Sequence, residues 1–307
     1  MTLLAIVGPT ASGKTALAVH AARTRGAEIV GVDASQIYRG LDIGTGKATE
    51  EELGSVRHHL LDVISPNESF DVAAYVRHAD ASIEGVRSRG SKVVLCGGTG
   101  LYLRGLIHGI CQAPPTAPSI KATLLERIEN GELPALHAEL ARIDPSAAAR
   151  IAPNDKQRTE RALGVFMTTG RPLSDWQREH AFAEQRYPVA YIGVRWPTDV
   201  LWTRIEARVD AMLAAGWLDE VARLRESGYA ESLQSMQALG YRLLSLHLDG
   251  EISLDEARER TIIATRRYAK RQRKWFRSMT EITWLDGPVD IARFDEIVDE
   301  VWKQEDV

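Results

Sequence analysis

Apolar residues gather in five short runs, at residues 3–7, 28–32, 92–96, 190–194 and 281–285. None alternates strictly between apolar and polar positions. That is the pattern of strands buried on both faces. Between them the spacing changes to that of helices. One helix is predicted over Lys14–Arg25, and another after Ser69, where Val72, Tyr75, Val76, Ala79, Ile83 and Val86 recur three or four residues apart. Strand–helix alternation of this kind predicts an α/β fold with a mainly parallel, doubly wound sheet and helices on both of its faces.

Residues 112–187 interrupt the alternation. They open with the proline-rich segment Ala113-Pro114-Pro115-Thr116-Ala117-Pro118 and continue as helix-forming sequence with no convincing strand. The strand pattern resumes after Pro188, and residues 198 to about 279 are again helical in character. The expected organisation is a core begun by residues 1–111, a helical insertion at 112–187, and a second part of the core, with basic C-terminal helices, at 188–307. A chain of 307 residues is long for a single hydrophobic core, which agrees with an inserted unit.

Overall charge adds little. The formal net charge is -4 and the isoelectric point about 6.1, so any nucleic-acid footprint must be a local patch. Cys96 and Cys111 are the two cysteines, too few and too poorly spaced for a disulfide framework or a zinc site. The adjacent His58 and His59 point in different directions on any regular element, so they read as structural rather than as a chelate. The N-terminal apolar run is too short for a signal sequence, and no stretch reaches the roughly 20 apolar residues of a membrane span. The expectation is a monomer without a membrane segment in a reducing cytoplasm.

The strongest local chemistry is Gly8-Pro9-Thr10-Ala11-Ser12-Gly13-Lys14-Thr15, a complete G-x-x-x-x-G-K-[ST] loop between a predicted strand and a predicted helix. Its glycines allow backbone N–H groups to turn inward around phosphate oxygens, and the helix N-terminus adds partial positive charge. Lys14 brings a full charge, and the Thr15 hydroxyl is a candidate Mg²⁺ ligand. The motif makes this a P-loop, NTPase-like core for a nucleotide such as ATP or for another polyphosphate. The third strand runs into Gly97-Gly98-Thr99-Gly100 without a carboxylate, which argues against a motor or switch ATPase.

Asp33 is the acid at a strand end. It follows the second strand, where ligand crevices of open α/β sheets lie. From position alone it is a turn aspartate, an indirect Mg²⁺ ligand or a general base. The segment Asp33-Ala34-Ser35-Gln36-Ile37-Tyr38-Arg39-Gly40 with Ile43-Gly44-Thr45-Gly46-Lys47, taken with the P-loop, resembles the bacterial tRNA dimethylallyltransferases of the IPP transferase family. Further motifs match in order: His58-His59-Leu60-Leu61-Asp62, Gly97-Gly98-Thr99-Gly100-Leu101-Tyr102, Asn154-Asp155-Lys156-Gln157-Arg158 with Arg161-Ala162-Leu163, Gln237-Ala238-Leu239-Gly240-Tyr241, and Thr265-Arg266-Arg267-Tyr268-Ala269-Lys270-Arg271-Gln272. The chain departs from that pattern at Ala34, where Ser is usual, at Gly46 (Ala), at Gly164 (often acidic) and at Lys274 (Thr).

The resemblance implies dimethylallyl diphosphate as donor and, as acceptor, the adenine just 3′ of the anticodon in a tRNA anticodon stem-loop. It implies Asp33 as general base, Thr99 at the reacting centre, and Arg208 with the P-loop on the departing diphosphate. It also implies tRNA contact by Asp33, Ala34, Ser35, Gln36 and Thr99, and by Gln157, Arg158, Thr159, Glu160 and Arg161 in the insertion. Spacing alone leaves residues 266–277 open between a solvated helix face and an RNA face. Arg266, Lys270, Lys274 and Arg277 share one side of a helix, and Tyr268, Trp275 and Phe276 are interleaved. The resemblance assigns Arg266, Lys270 and Arg273 to tRNA. The alternatives are an adenylate isopentenyltransferase, a small-molecule P-loop kinase and a non-catalytic RNA-binding protein.

Overall fold

The structure, a computed structural model, describes residues 1–303. The chain forms two compact units. One comprises residues 1–107 together with those from Arg186 onward, and the other is His108–Gln185, where the sequence pattern suggested 112–187.

The first unit begins with β1 (Leu3–Val7), α1 (Lys14–Arg25), β2 (Ala27–Val32), the single turn α2 (Glu50–Leu53), β3 (His58–His59), α3 (Val72–Ser88), β4 (Lys92–Gly97) and α4 (Gly100–His108). The second unit holds α5 (Pro118–Glu129), α6 (Leu133–Ile143), α7 (Pro145–Ala148), α8 (Lys156–Thr169) and α9 (Leu173–His180), with no strand. The first unit then resumes with β5 (Val189–Arg195), α10 (Thr198–Ala214), α11 (Trp217–Glu226), a 3-10 turn at Ser235–Gln237, α12 (Tyr241–Leu248), α13 (Leu254–Arg277), β6 (Ile282–Asp286) and α14 (Ile291–Lys303).

Six parallel strands lie in the order β3-β2-β4-β1-β5-β6. The five predicted runs are β1, β2, β4, β5 and β6. The sixth strand, β3, is two residues long and polar, and so carries no pattern of its own. It is held at the edge by a charge cluster: Glu28 of β2 accepts a hydrogen bond from the His59 imidazole at 2.7 Å, and the Arg89 guanidinium donates to the same carboxylate at 2.8 and 3.0 Å.

The apolar runs are buried on both sides. Leu4, Ile6, Ile29, Val94, Ile192 and Val194 pack with Leu17, Ala18 and Ala21 of α1 and with Phe294, Val298 and Trp302 of α14. Of the periodic positions of α3, Tyr75, Val76, Ala79, Ile83 and Val86 are buried and Val72, at its first turn, is half-buried. Burying one such side chain is worth about 1.5–3 kcal/mol, so the sheet and its helices form one cooperative frame. The insertion has its own core, built on Leu124, Leu136, Leu140, Leu163 and Val165.

Strand register decides where the chemistry sits. Val7 lies beside Gly97, and Gly97 beside Val32, so β1, β4 and β2 end level. A β-carbon at Gly97 would overlap the backbone of Val32, so only glycine permits this close approach. The loops that follow the three strands carry the P-loop, Thr99 and Asp33, and they therefore emerge side by side.

The Glu28 cluster makes the frame sensitive to acid. Hydrogen bonds from Arg89, then from His59, hold the Glu28 carboxyl down at about 2 against the opposing effect of burial. A depressed carboxyl adds stability that is complete above its unfolded value, near 4.3, and is lost as pH falls towards 2. Between pH 5 and pH 3 the thermal midpoint of the wild type should therefore fall more steeply than that of Glu28→Gln. Parallel curves would show that the cluster contributes nothing to acid sensitivity.

Candidate active site

The P-loop is braced from outside. Gly13 caps α1 in the left-handed region at φ 91°, which turns the chain from the loop into the helix. The Ser12 carbonyl accepts from the Trp196 indole at 3.0 Å, and the Ala11 carbonyl from the Arg204 guanidinium at 2.8 Å. Gln272 of α13 bridges two loops. Its Oε1 accepts the Thr10 N–H at 2.9 Å, and its Nε2 donates to the Gly98 carbonyl at 3.0 Å. The Thr10 amide is thus committed to Gln272, and Pro9 is buried.

Lys14 and Thr15 line a cavity of about 390 Å³ that lies wholly within the first unit. The Lys14 ammonium donates to the Pro9 carbonyl at 3.3 Å. Burial pushes it below the ordinary lysine value; the Cys96 thiol opposes that, the Arg208 guanidinium adds to it, and Asp33 opposes it. The Cys96 thiol is itself pushed up to about 11 by burial, against the effect of Lys14 and a hydrogen bond with Thr15.

Asp33 faces the same cavity. Its Oδ1 accepts the Ser35 N–H at 2.9 Å, the Ser35 hydroxyl at 3.1 Å and the Gln36 N–H at 3.4 Å, so the Asx turn fixes the carboxylate rather than competing with its use. The Ala34 N–H donates to the Thr99 hydroxyl at 3.3 Å, which joins the loops after β2 and β4. The Tyr268 phenol is hydrogen-bonded with Thr99 and Gln272 and lies near Asp33. Burial, and then the Asp33 charge, raise its pKa. Gln36 donates its side-chain amide to the Thr45 and Gly46 carbonyls, each at 3.1 Å, and also lines the cavity.

Arg208 comes from α10, 175 residues beyond Asp33 (208 − 33), yet lines the same cavity. Burial lowers its pKa, while Asp33 and then Glu52 offset the shift. A β-carbon at Gly46, itself at φ 64°, would overlap the Arg208 guanidinium as it is placed here, so an alanine at this position would require the Arg208 side chain to shift. Asp33 is the one carboxylate among the lining residues, and it stands with Lys14, Arg208 and Arg271. Ile29, Leu53, Ile205, Val209 and Met212 supply an apolar wall. The arrangement suits an anion joined to an apolar group.

Among the described residues there is no group of three or more His, Cys, Asp or Glu able to hold a metal ion. Mg²⁺ fits such a site only in its substrate-assisted form, with one or two protein oxygens and the remaining positions filled by phosphate and water. The exposed Thr15 hydroxyl is a donor of that kind.

The predicted RNA contacts divide. Gln157 and Arg158 are exposed at the start of α8, whereas Thr159 and Glu160 are buried, because the helix turns from its solvent side to its core side over these four residues. Arg161 donates to the carbonyls of Pro114 and Ala113 at 2.8 and 3.0 Å, and so ties the proline-rich hinge to α8. On α13, Arg266 pairs with Glu206 at 3.3 Å, Arg266 and Lys270 lie over the Trp202 ring at 5.9 and 5.6 Å, and Arg273 donates to the Thr198 hydroxyl at 2.8 Å. Lys270, Lys274 and Arg277 are exposed. Phe276 is core at 1% exposure and is unavailable for base stacking, and Trp275 packs against Gly100 and beneath Arg104. The sequence reading missed Gln272, Tyr268 and Arg271 as parts of the cavity. Their signal was the spacing of Thr265, Tyr268 and Gln272, a polar face of α13 beside the basic one.

The fold and cavity define a P-loop α/β protein whose phosphate cradle faces a carboxylate across one pocket. A scan of family models matches "IPP transferase" over residues 36–279. A tRNA dimethylallyltransferase of Syntrophobacter fumaroxidans is 47% identical over 287 residues, covering 94% of this chain and 84% of that one. One of Geobacter metallireducens is 44% identical, covering 97% and 96%. The solved structure of the full-length tRNA isopentenylpyrophosphate transferase of Bacillus halodurans is 38% identical, superposes with a TM-score of 0.73, and covers 100% of this chain and 99% of that one. The chain belongs to the IPP transferase family. No helix among the described residues is long and apolar enough to cross a membrane.

Proposed function

We propose that this protein transfers the dimethylallyl group of dimethylallyl diphosphate to N6 of adenosine-37, the residue 3′ of the anticodon in tRNA, and releases diphosphate. The observation that carries this reading is the single cavity in which Lys14, Thr15 and Arg208 stand with one carboxylate, Asp33, and an apolar wall. An allylic diphosphate needs those three features: cations for the leaving group, a base for the acceptor, and an apolar surface for the five-carbon chain.

The exocyclic amine of adenine is a weak nucleophile because its lone pair is delocalised into the ring. As the N6–C1 bond forms and the C1–O bond to diphosphate breaks, the amine sheds a proton, which Asp33 accepts. Its carboxylate is already fixed by the Ser35 and Gln36 donors. Negative charge grows on the leaving diphosphate, where Lys14, Arg208 and the P-loop amides stabilise it. The Thr99 hydroxyl, held between the Ala34 N–H and the Tyr268 phenol, orients the acceptor beside Asp33. Mg²⁺ held by Thr15 would add charge stabilisation at the same oxygens. An adenine inside an anticodon stem-loop must leave its stack to enter the cavity. The exposed Lys270, with Arg266 and Arg273, offers phosphate contacts on the same unit, and Gln157 and Arg158 offer polar contacts on the insertion.

Incubation with labelled dimethylallyl diphosphate and either tRNA or AMP tests the assignment. Label should appear on tRNA alone, and nucleoside mass spectrometry should find it on adenosine-37. Label on AMP would replace this reading with an adenylate isopentenyltransferase, and label on neither would overturn the transferase assignment.

A further inference from the structure

Glu220 is 2% exposed and does not line the cavity, yet it touches the loop that shapes it. From α11 its Oε2 accepts the N–H groups of Asp42 and Ile43 at 2.9 and 2.7 Å. Its Oε1 accepts the Gly44 N–H at 3.2 Å and the Tyr241 hydroxyl at 2.7 Å. No Lys or Arg forms an ion pair with it among the described residues. A buried carboxylate without a cation is costly unless its lone pairs are filled, and here four donors fill them.

The next residues of that loop hold Gln36. The Thr45 and Gly46 carbonyls take both hydrogens of its amide, which leaves Oε1 as a fixed acceptor three residues from Asp33. Tyr241 also closes the segment whose Gln237, Ala238 and Leu239 line the cavity, and the Trp217 indole lies against Gly44. A single carboxylate therefore sets the position of two cavity walls contributed by distant stretches of sequence.

We propose that Glu220 is a positioning residue for the reaction. By anchoring residues 42–44 it fixes the Thr45 and Gly46 carbonyls, and through them the orientation of Gln36 beside the acceptor base. This rests on the transferase reading above. The geometry favours a carboxylate over its amide, because three of the four partners are backbone N–H groups, which cannot accept. In Glu220→Gln the NH₂ group would confront at least one of these N–H groups, Gly44 in one amide orientation or Asp42 and Ile43 in the other, and push the loop out of place.

The test compares wild type, Glu220→Gln, Gln36→Ala and the double variant with tRNA and dimethylallyl diphosphate. It measures kcat, both KM values and thermal midpoints. Glu220→Gln should lower kcat by about 10²-fold, the scale of an ångström's misplacement in an active site, and leave the KM for the diphosphate unchanged. The double variant should be little worse than the more damaging single one, since both act through Gln36. Glu220→Asp, which keeps the charge but shortens the reach, should fall between wild type and Glu220→Gln. Losses that simply add in the double variant, an unchanged kcat, or a loss shared equally by the diphosphate KM would overturn the proposal. So would unfolding of both Glu220 variants, which would make the carboxylate a scaffold element alone. A wild type that fails to prenylate tRNA defeats the transferase reading itself, whereas an active wild type with additive losses defeats this inference only.

Discussion

Replacing Asp33 by Asn should lower kcat by about 10²–10⁴-fold and leave the affinity for dimethylallyl diphosphate nearly intact. The expectation follows from how the side chain is held. Oδ1 is an acceptor for three donors from Ser35 and Gln36, and an amide oxygen can serve the same donors, so Asn preserves the turn. What it loses is the capacity to take a proton. In the proposed reaction the diphosphate, by contrast, is held by Lys14, Arg208 and the P-loop, and the Lys14 hydrogen bond to Pro9 does not involve the Asp33 side chain. Asp33→Ala should show the same separation of kcat from binding, with some further loss because the turn is released. A mutation that lowers kcat without raising KM removes an interaction made in the transition state. Single-turnover transfer to an anticodon stem-loop, with diphosphate affinity measured separately, checks this. Transfer at the wild-type rate would remove Asp33 from the chemistry.

The parts of this molecule legible in the sequence are those whose signal is local. Leu3–Val7 and Gly8–Thr15 announce a strand, a phosphate turn and a helix within 25 residues, because backbone geometry there is dictated by glycines and apolar runs close at hand. Asp33 could be placed beside the P-loop by the rule that parallel strands present their carboxyl ends together, and the register of Val7, Gly97 and Val32 is the physical form of that rule. The two-residue β3 has no such signal, since it is defined by its pairing with Ile29 and Val30 and by the charge cluster on Glu28. The breaks that divide residues 198–279 into α10 to α13 were not separated by the helical pattern, although Gly216 at φ 95° and Gly240 at φ 87° mark two of them.

The candidate site divides in the same way. Lys14, Thr15 and Asp33 follow from sequence position, and Thr99 from the end of β4. Arg208 and Glu220 are helical residues whose neighbours in sequence say nothing of their targets; only tertiary packing brings them to Gly46 and to residues 42–44. On α13 the basic residues drew attention, but Gln272 and Tyr268 on the adjoining face are the ones that bind the P-loop and Thr99. Charge is visible in a sequence, whereas a neutral amide bridging two loops becomes visible only once both loops are placed.

Lys14→Ala should weaken binding of the diphosphate substrate by about 10- to 100-fold, the worth of one charge-assisted hydrogen bond at roughly 1.5–3 kcal/mol. The fold should persist, because among the described residues the ammonium makes one hydrogen bond, at 3.3 Å to Pro9, and its burial opposes its charge. That opposition gives the prediction a second arm. The Lys14 pKa lies below the ordinary lysine value, with burial as the main cause, so in the free protein the charge is lost at lower pH than for a lysine in water. The anion binds the charged form. Affinity in the wild type should therefore decline as pH rises through that lowered value, and binding should draw a proton onto the protein there. Lys14→Ala should be weak at every pH and lack that decline, whereas Lys14→Arg, charged throughout, should also lack it but bind more tightly than Lys14→Ala. Titration calorimetry with dimethylallyl diphosphate in buffers of different ionisation enthalpy measures both arms. Wild-type affinity in Lys14→Ala would show that the loop is not the phosphate cradle, and the whole assignment of the cavity would fail with it.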